Sequence, residues 1–281
     1  MIRFRAVAAE LSNGTLVGGK FRVTEKLGEG GMGSVYAGVH VDLGQRVAIK
    51  VILSGEINDE MLKRFRREAL VLAQLESEHA VRVFDYGTLP DGAPYLVMEF
   101  LKGQDLQAYV SARGPITVEE AAEIGTSVCD ALGDAHSKGI VHRDLKPSNL
   151  FLAERPNGRR FVKVLDFGLS LFRPEGQELI TKTHAVLGTP LYAAPEQFNA
   201  SRDADGRADV WSLGASLYEL VTGRVPFPAA DVGGARDETP CGGTTREQHQ
   251  SAGAAGVLRC PREVSEAKAR GTHGDRQRSP S

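Results

Sequence analysis

The apolar residues of this chain change their period near Phe100, and that change constrains the fold more than any other feature. From Phe21 to Phe100 the pattern is that of strands. "FRVTEKL" alternates, a glycine run follows, and "SVYAGVH" and "RVAIKVI" are rich in β-branched and apolar residues. "VRVFDYG" and "PYLVMEF" continue the series across the turn "LPDGA". One helix interrupts these antiparallel strands: Leu62, Phe65, Ala69, Leu72 and Leu75 recur at steps of three and four and share a face. After Phe100 the helical period dominates. Thr117 and Glu120 form a T-x-x-E capping box ahead of Ile124, Val128, Ala131, Leu132 and Ala135, and Gly139 stands where a terminating glycine belongs. "RFVKVLDFG" reads as a short strand pair and turn, and "ADVWSLGASLYELVTG" as an apolar helix ending at Gly223. Segregated strands and helices imply an α+β chain of two lobes: a small antiparallel β lobe with one helix, then a larger helical lobe. The short join "EFLKGQDL" leaves a cleft between them as the natural ligand site.

A second change follows Phe227. From Ala229 to Ser281 there is no Phe, Tyr or Trp, and Val232, Val257, Leu258 and Val264 are the only large aliphatic residues. Such a segment buries too little apolar surface to offset its ordering entropy, so a disordered or aberrant tail and an incomplete larger lobe are expected. A truncation or a shifted reading frame would explain so abrupt a change. The formal net charge of −2 implies no strongly basic or acidic partner and argues against nucleic acid. Cys129, Cys241 and Cys260 are few and widely spaced, which fits a reducing compartment and lacks metal-ligand spacing. The N-terminal apolar run is too short for a signal peptide, and no stretch approaches the roughly 18 apolar residues of a membrane helix. The expectation is a soluble cytoplasmic protein.

Several motifs carry chemistry. "LGEGGMGSV" places Gly28, Gly30 and Gly33 as G-x-G-x-x-G. Taken alone, a tight hairpin explains it as well as a phosphate loop does. A dinucleotide fold is excluded by context, because a strand follows the glycines and no acidic residue stands about 20 positions on at a strand end. What remains is a glycine-rich β-hairpin whose amides can approach phosphate oxygens. Lys50, flanked by Ile49 and Val51 in a buried run, needs an anionic partner. Glu68 is a candidate, although Arg66 and Arg67 beside it also fit a solvated helix face. "VHRDLKPSNLF" holds His142, Arg143, Asp144, Lys146 and Asn149 in a polar loop pinned by apolar residues at both ends, and "LDFG" puts Asp166 in a turn after a strand.

Taken in order, the glycine loop, strand lysine, helix glutamate, "HRDLKPSN", "DFG" and "GTPLYAAPE" resemble the eukaryotic-type protein kinases, and most of all their bacterial serine/threonine branch. The resemblance runs from Phe21 to about Pro228. It implies a bilobal kinase-like fold with an N-terminal extension over 1–20, an ATP-binding lobe over 21–101, a catalytic lobe over 102–228 and the anomalous tail over 229–281. It implies transfer of the ATP γ-phosphoryl group to serine or threonine hydroxyls of proteins, with ATP and Mg2+ as cofactors. Leu27, Gly28, Glu29, Gly30, Gly31, Met32, Gly33, Val35 and Ala48 would enclose the nucleotide, and Glu99 and Leu101 would offer hinge backbone to adenine. Lys50 would pair with the α- and β-phosphates and be held by Glu68. Asp144 would serve as catalytic base, Lys146 would offset charge on the transferred group, and Asn149 and Asp166 would hold magnesium. Lys146 also favours serine or threonine over tyrosine acceptors.

Within the family, "LSLFRPEGQELITKTHAVLGTPLYA" corresponds to the activation segment. Phosphate on Thr181 or Thr183 would dock against Arg143, and autophosphorylation would involve self-association. His142 would pack behind the "DFG" turn. His79 and His136 are structural or surface groups, and Cys129 is a small buried hydrophobe. The alternative function is a catalytically impaired fragment or pseudokinase acting as a binding scaffold.

Overall fold

A six-stranded antiparallel sheet accounts for the strand-rich half of the chain. In this computed structural model residues 4–5, 10–30, 33–52, 56–57, 59–155, 157–167, 190–199 and 205–227 are described. The strands are β1 (Phe4–Arg5), β2 (Leu16–Val17), β3 (Phe21–Gly30), β4 (Gly33–His40), β5 (Arg46–Ile52), β6 (Glu56–Ile57), β7 (Val83–Thr88) and β8 (Pro94–Glu99). The sheet runs β2-β3-β4-β5-β8-β7, while β1 and β6 pair separately. It therefore begins at Leu16, upstream of the Phe21 boundary read from the sequence. Strand parity distributes its side chains. Val47, Ile49 and Val51 face a core with Phe21, Val23, Tyr36, Tyr95 and Val97. Ala48 and Ile52 face the other way, onto Phe65 and Ala69 of helix α1 (Asp59–Leu72) together with Leu96 and Met98. Lys50 shares the parity of Ala48 and Ile52, so its ammonium is carried to the helix side of the sheet.

The second half contains β9 (Gly103–Asp105), α2 (Leu106–Arg113), α3 (Val118–Ser137), β10 (Leu150–Glu154), β11 (Arg160–Val164), α4 (Pro195–Asn199) and α5 (Gly206–Thr222). The capping box forms as expected: the Thr117 side chain accepts from Glu120 N–H, and the Glu120 side chain accepts from Thr117 N–H. Gly139 and Gly223 adopt positive φ at the ends of α3 and α5, as cap glycines do. The core packs Val128, Ala131, Leu132 and Ala135 of α3 on Leu213, Leu217 and Leu220 of α5. Leu72 of α1 and Phe167 join this cluster, so the small-lobe helix is anchored in the larger core. The strand pair expected within "RFVKVLDFG" is a single strand, β11; its sheet, in the order β11-β10-β9, is completed by β10 from the preceding segment and by β9 from the segment after the join. On α5, Val210, Trp211 and Tyr218 keep exposed surface, and Trp211 stacks on Phe227 with ring centroids 5.5 Å apart. The tail from Ala229 onward lies outside the described residues.

Candidate active site

Lys50 is 5% exposed, and its Nζ lies 2.6 Å from Asp166 Oδ2. The buried cation thus has the anionic partner that its setting demands, but that partner is not Glu68. The expected Lys50–Glu68 pair is absent here. Glu68 lies partly buried, with Oε2 inaccessible and without a hydrogen bond. Burial pushes its carboxyl up to about 7, against the partial opposition of Arg143, Arg64 and Arg67. Neither the Lys50 pairing nor the solvated helix face describes it, because α1 directs this side chain inward without bringing it to the ammonium.

The glycine motif forms the hairpin between β3 and β4, with Gly28 opposite Val35, Glu29 opposite Ser34 and Gly30 opposite Gly33. The glycines differ physically. A Cβ on Gly33, whose φ is +145°, would stand 2.0 Å from Val51 O. A Cβ on Gly28 or Gly30 would meet nothing within 4 Å. Gly33 is required by the packing of the sheet, whereas Gly28 and Gly30 leave open space over the hairpin. Gly31 and Met32 lie outside the described residues. Leu27 is exposed, and Glu29 pairs with Lys26 at 2.7 Å. Val35 and Leu101 pack with Ala48 and Leu165 in one apolar cluster, which forms a nonpolar wall beside Lys50. The Glu99 N–H donates to Arg82 O at 2.9 Å, so this donor is committed within the fold.

The polar loop after α3 is held from several sides. Asp209 of α5 is fully buried and accepts from His142 N–H (2.8 Å), Arg143 N–H (2.8 Å) and His136 Nε2 (2.7 Å). Burial alone would raise its pKa; these donors outweigh burial and hold the carboxyl below its ordinary value. His142 is 0% exposed, and its Nε2 donates to Leu165 O at 2.7 Å, while its ring lies 5.1 Å from that of Phe167. Gln197 of α4 donates to Arg143 O at 3.0 Å. Asp144 Oδ2 accepts from Lys146 Nζ at 3.0 Å, and Asn149 Nδ2 donates to Asp144 O at 2.7 Å. With its amide nitrogen engaged, Asn149 has Oδ1 left as a hard oxygen donor. Leu165 N–H donates to Asn149 O at 2.9 Å and ties this loop to the turn bearing Asp166. Arg143 and Asp166 are the non-glycine residues with positive φ among the described residues, at 66° and 60°. Such conformations cost about 1–3 kcal/mol each and persist where surrounding contacts over-determine them. Arg143 Nε is buried and has no hydrogen-bond partner. Thr181 and Thr183 lie outside the described residues.

Sequence reasoning missed three supports. Asp209 sits in an apolar helix pattern, and only its place opposite His136 shows its role. Gln197 shows itself only through its bonds to Arg143 O and Ala194 N–H. Lys163 of β11 is 4% exposed; its Nζ bonds Glu99 Oε1 at 2.5 Å and Ala80 O at 3.0 Å, joining β11 to the end of β8. A lysine in a strand of alternating pattern has no signal that separates it from a solvated one. His79 and His136 are structural, as expected: His79 Nδ1 lies 2.8 Å from Val162 O, and His136 bonds Asp209. Cys129 is partly buried against the larger core.

The protein kinase domain family matches residues 21–246, and the chain belongs to that family. Its relatives include serine/threonine-protein kinase Pkn1 of Myxococcus xanthus, 45% identical over 212 residues, which cover 74% of this chain and 30% of that protein. Serine/threonine-protein kinase PrkC of Bacillus subtilis is 37% identical over 215 residues, covering 76% of this chain and 32% of that protein. The chain thus spans about a third of the length of these curated relatives. Among solved structures, the Mycobacterium tuberculosis PknI kinase domain matches with a TM-score of 0.62 and 30% identity, covering 77% of this chain and 79% of that one. Rad53 1–466 in complex with AMP-PNP matches with a TM-score of 0.60 and 30% identity, covering 75% of this chain and 50% of that one. Among the described residues, no helix is long and apolar enough to cross a membrane.

Proposed function

We infer that this chain transfers the γ-phosphoryl group of ATP to serine or threonine hydroxyls of protein substrates, in a reducing cytoplasmic compartment. One observation carries this inference: Lys50 and Asp166 meet at 2.6 Å, joining the sheet to the turn beside the loop of Asp144, Lys146 and Asn149. The site fits ATP and magnesium. Open space over Gly28 and Gly30 accommodates phosphates, and Asn149 Oδ1 and the Asp166 carboxylate are oxygen donors of the type that magnesium takes. The bound nucleotide and metal supply the transferable group and neutralise its charge. The protein supplies alignment and fixed charge. Val35, Ala48 and Leu101 form the nonpolar wall for the base, with the hinge backbone near Glu99 and Leu101 at its edge. Lys50 offers a cation to the phosphates. Asp144 accepts the hydrogen bond of the incoming hydroxyl and takes its proton, and Lys146 places a second cation beside it.

The parts fall at residues 21–101 for nucleotide binding and 102–228 for catalysis. Arg143 is the dock for phosphate on Thr181 or Thr183, which one chain adds to another during self-association; its partnerless Nε supports this role. The test is magnesium-dependent phosphorylation of a basic protein acceptor, with phosphoamino-acid analysis. Lys50→Met and Asp166→Ala are each expected to lower the single-turnover rate by about 10²–10³, with the fold retained by circular dichroism. Near-parental rates in either variant would falsify the assignment.

A further inference from the structure

The three-stranded sheet presents one face with more positive charge than it neutralises. Gln104 lies opposite Leu152, Glu154 lies opposite Arg160, and Glu154 N–H donates to Lys102 O at 2.8 Å, extending the pairing past Gly103. Alternation then sets Lys102, Gln104, Leu152, Glu154 and Arg160 on one face. Arg113, the last residue of α2, closes the groove. Together they bound a cavity of about 340 Å³, the scale of a small ligand site, roughly 300–1,000 Å³.

The charges in this groove are unbalanced. Its carboxylate, Glu154, pairs with Lys102 at 3.6 Å. The Arg113 and Arg160 guanidinium carbons lie 4.9 and 5.9 Å from the centroid of one Tyr109 ring, and neither residue forms an ion pair among the described residues. The ring face attracts each cation, but it does not cancel the repulsion between them. A pair of planar forks matches carboxylate or phosphate oxygens, which would relieve that repulsion. The groove is open and runs along strands rather than enclosing a point, which suits an extended chain better than a lone ion. Strand β10 leaves Asn149 and enters the groove at Leu152, about 10 Å along at ~3.3 Å per residue.

We propose that this groove docks an acidic segment of a protein substrate, with side-chain oxyanions held between Arg113 and Arg160. The oxyanions are the carboxylates of glutamate and aspartate side chains. Use of the groove as a substrate dock rests on the kinase assignment; the binding itself does not.

Fluorescence anisotropy with the full chain tests the proposal. The probes are labelled octaglutamate, a labelled octapeptide whose only charges are two phosphoserines, and the same octapeptide unphosphorylated. Octaglutamate is expected to bind, and to bind about tenfold more weakly to Arg113→Gln and to Arg160→Gln, the loss of one charge-assisted contact. Binding of the phosphoserine peptide without binding of octaglutamate would overturn the assignment to carboxylates. Both variants should keep the parental melting temperature and parental phosphorylation of a short neutral serine peptide. Binding without any phosphoryl transfer would support the groove and overturn the kinase assignment instead. The proposal is overturned if octaglutamate does not bind at millimolar concentration, if the unphosphorylated probe binds equally, or if both variants bind like the parent.

Discussion

The glycine hairpin and the polar loop around Asp144 are held in opposite ways. From Leu27 to Gly30 the β3 arm is exposed, and Gly28 and Gly30 touch nothing that a methyl group would disturb. The loop from His142 to Asn149 is bonded to α5, to α4 and to the turn before Phe167. Hydrogen bonds to neighbouring elements fix the loop, whereas Gly28 and Gly30 leave the hairpin's surface open. A phosphoryl-transfer site gains from both, since charges that must not reorganise belong on the rigid side and a cover that admits and releases nucleotide belongs on the other.

The largest test of the rigid side is Asp209→Ala. It strands three donors in a buried site and is expected to destabilise the protein by about 3–5 kcal/mol, measured by urea denaturation at pH 7. A parental midpoint would show that the loop is held by other means. Because the folded Asp209 carboxyl lies below its ordinary 3.8, its contribution is present above 3.8 and is lost as pH falls through the lower folded value. Asp209→Asn should therefore reduce the acid-induced part of unfolding.

Next in size is Gly33→Ala, where the fold rather than the ligand needs the glycine. A clash with Val51 O at positive φ should cost about 1–3 kcal/mol, read from the thermal midpoint of the nucleotide-free protein. An unchanged midpoint would place the whole hairpin on the loose side.

Glu68 lies outside both regions and interacts electrostatically with Arg143 of the loop. Its folded pKa of about 7 exceeds the ordinary 4.5, so its ionisation opposes folding. Stability should fall as pH rises from 4.5 through 7, and Glu68→Gln should remove that fall, gaining on the order of 1–2 kcal/mol at pH 8 after allowance for partial exposure. Nothing should be gained at pH 4. Parallel stability curves for parent and variant would contradict this.

The smallest expected stability effect is that of Gly28→Ala, within about 0.5 kcal/mol. Its consequence belongs to ligand binding: the KM for ATP should rise while the melting temperature stays parental. A lowered melting temperature with unchanged KM would reverse the comparison between Gly28 and Gly33.

Much of this arrangement was legible in the chain. Alternation predicted the sheet, the Thr117–Glu120 pair predicted the start of α3, and Gly223 predicted the end of α5, because these signals act within a few residues. The buried cation at Lys50 was legible for the same reason: a lysine between Ile49 and Val51 cannot stay unpaired. Its partner was not, because Glu68 and Asp166 are both far from it along the chain. Lys163 and Glu99 were hidden likewise, as each is ordinary in its own strand and unusual only beside the other. Asp209 lay in a helix whose apolar pattern was correctly read, yet the carboxylate has meaning only where three donors converge.

The sequence by itself determined most of the strands and helices, the capping box of α3, the cap glycines Gly139 and Gly223, and the need of a buried Lys50 for an anion. Local sterics and hydrophobic period dictate those, and they need no knowledge of distant neighbours. The tertiary structure alone decided that Lys50 pairs with Asp166 and leaves Glu68 to Arg143, Arg64 and Arg67, that Asp209 anchors the loop at His142 and Arg143, and that Arg113 and Arg160 share one tyrosine ring. Coulomb energy and hydrogen bonding depend on separations in space, and those separations are set by how helices and sheets pack, not by their spacing along the chain.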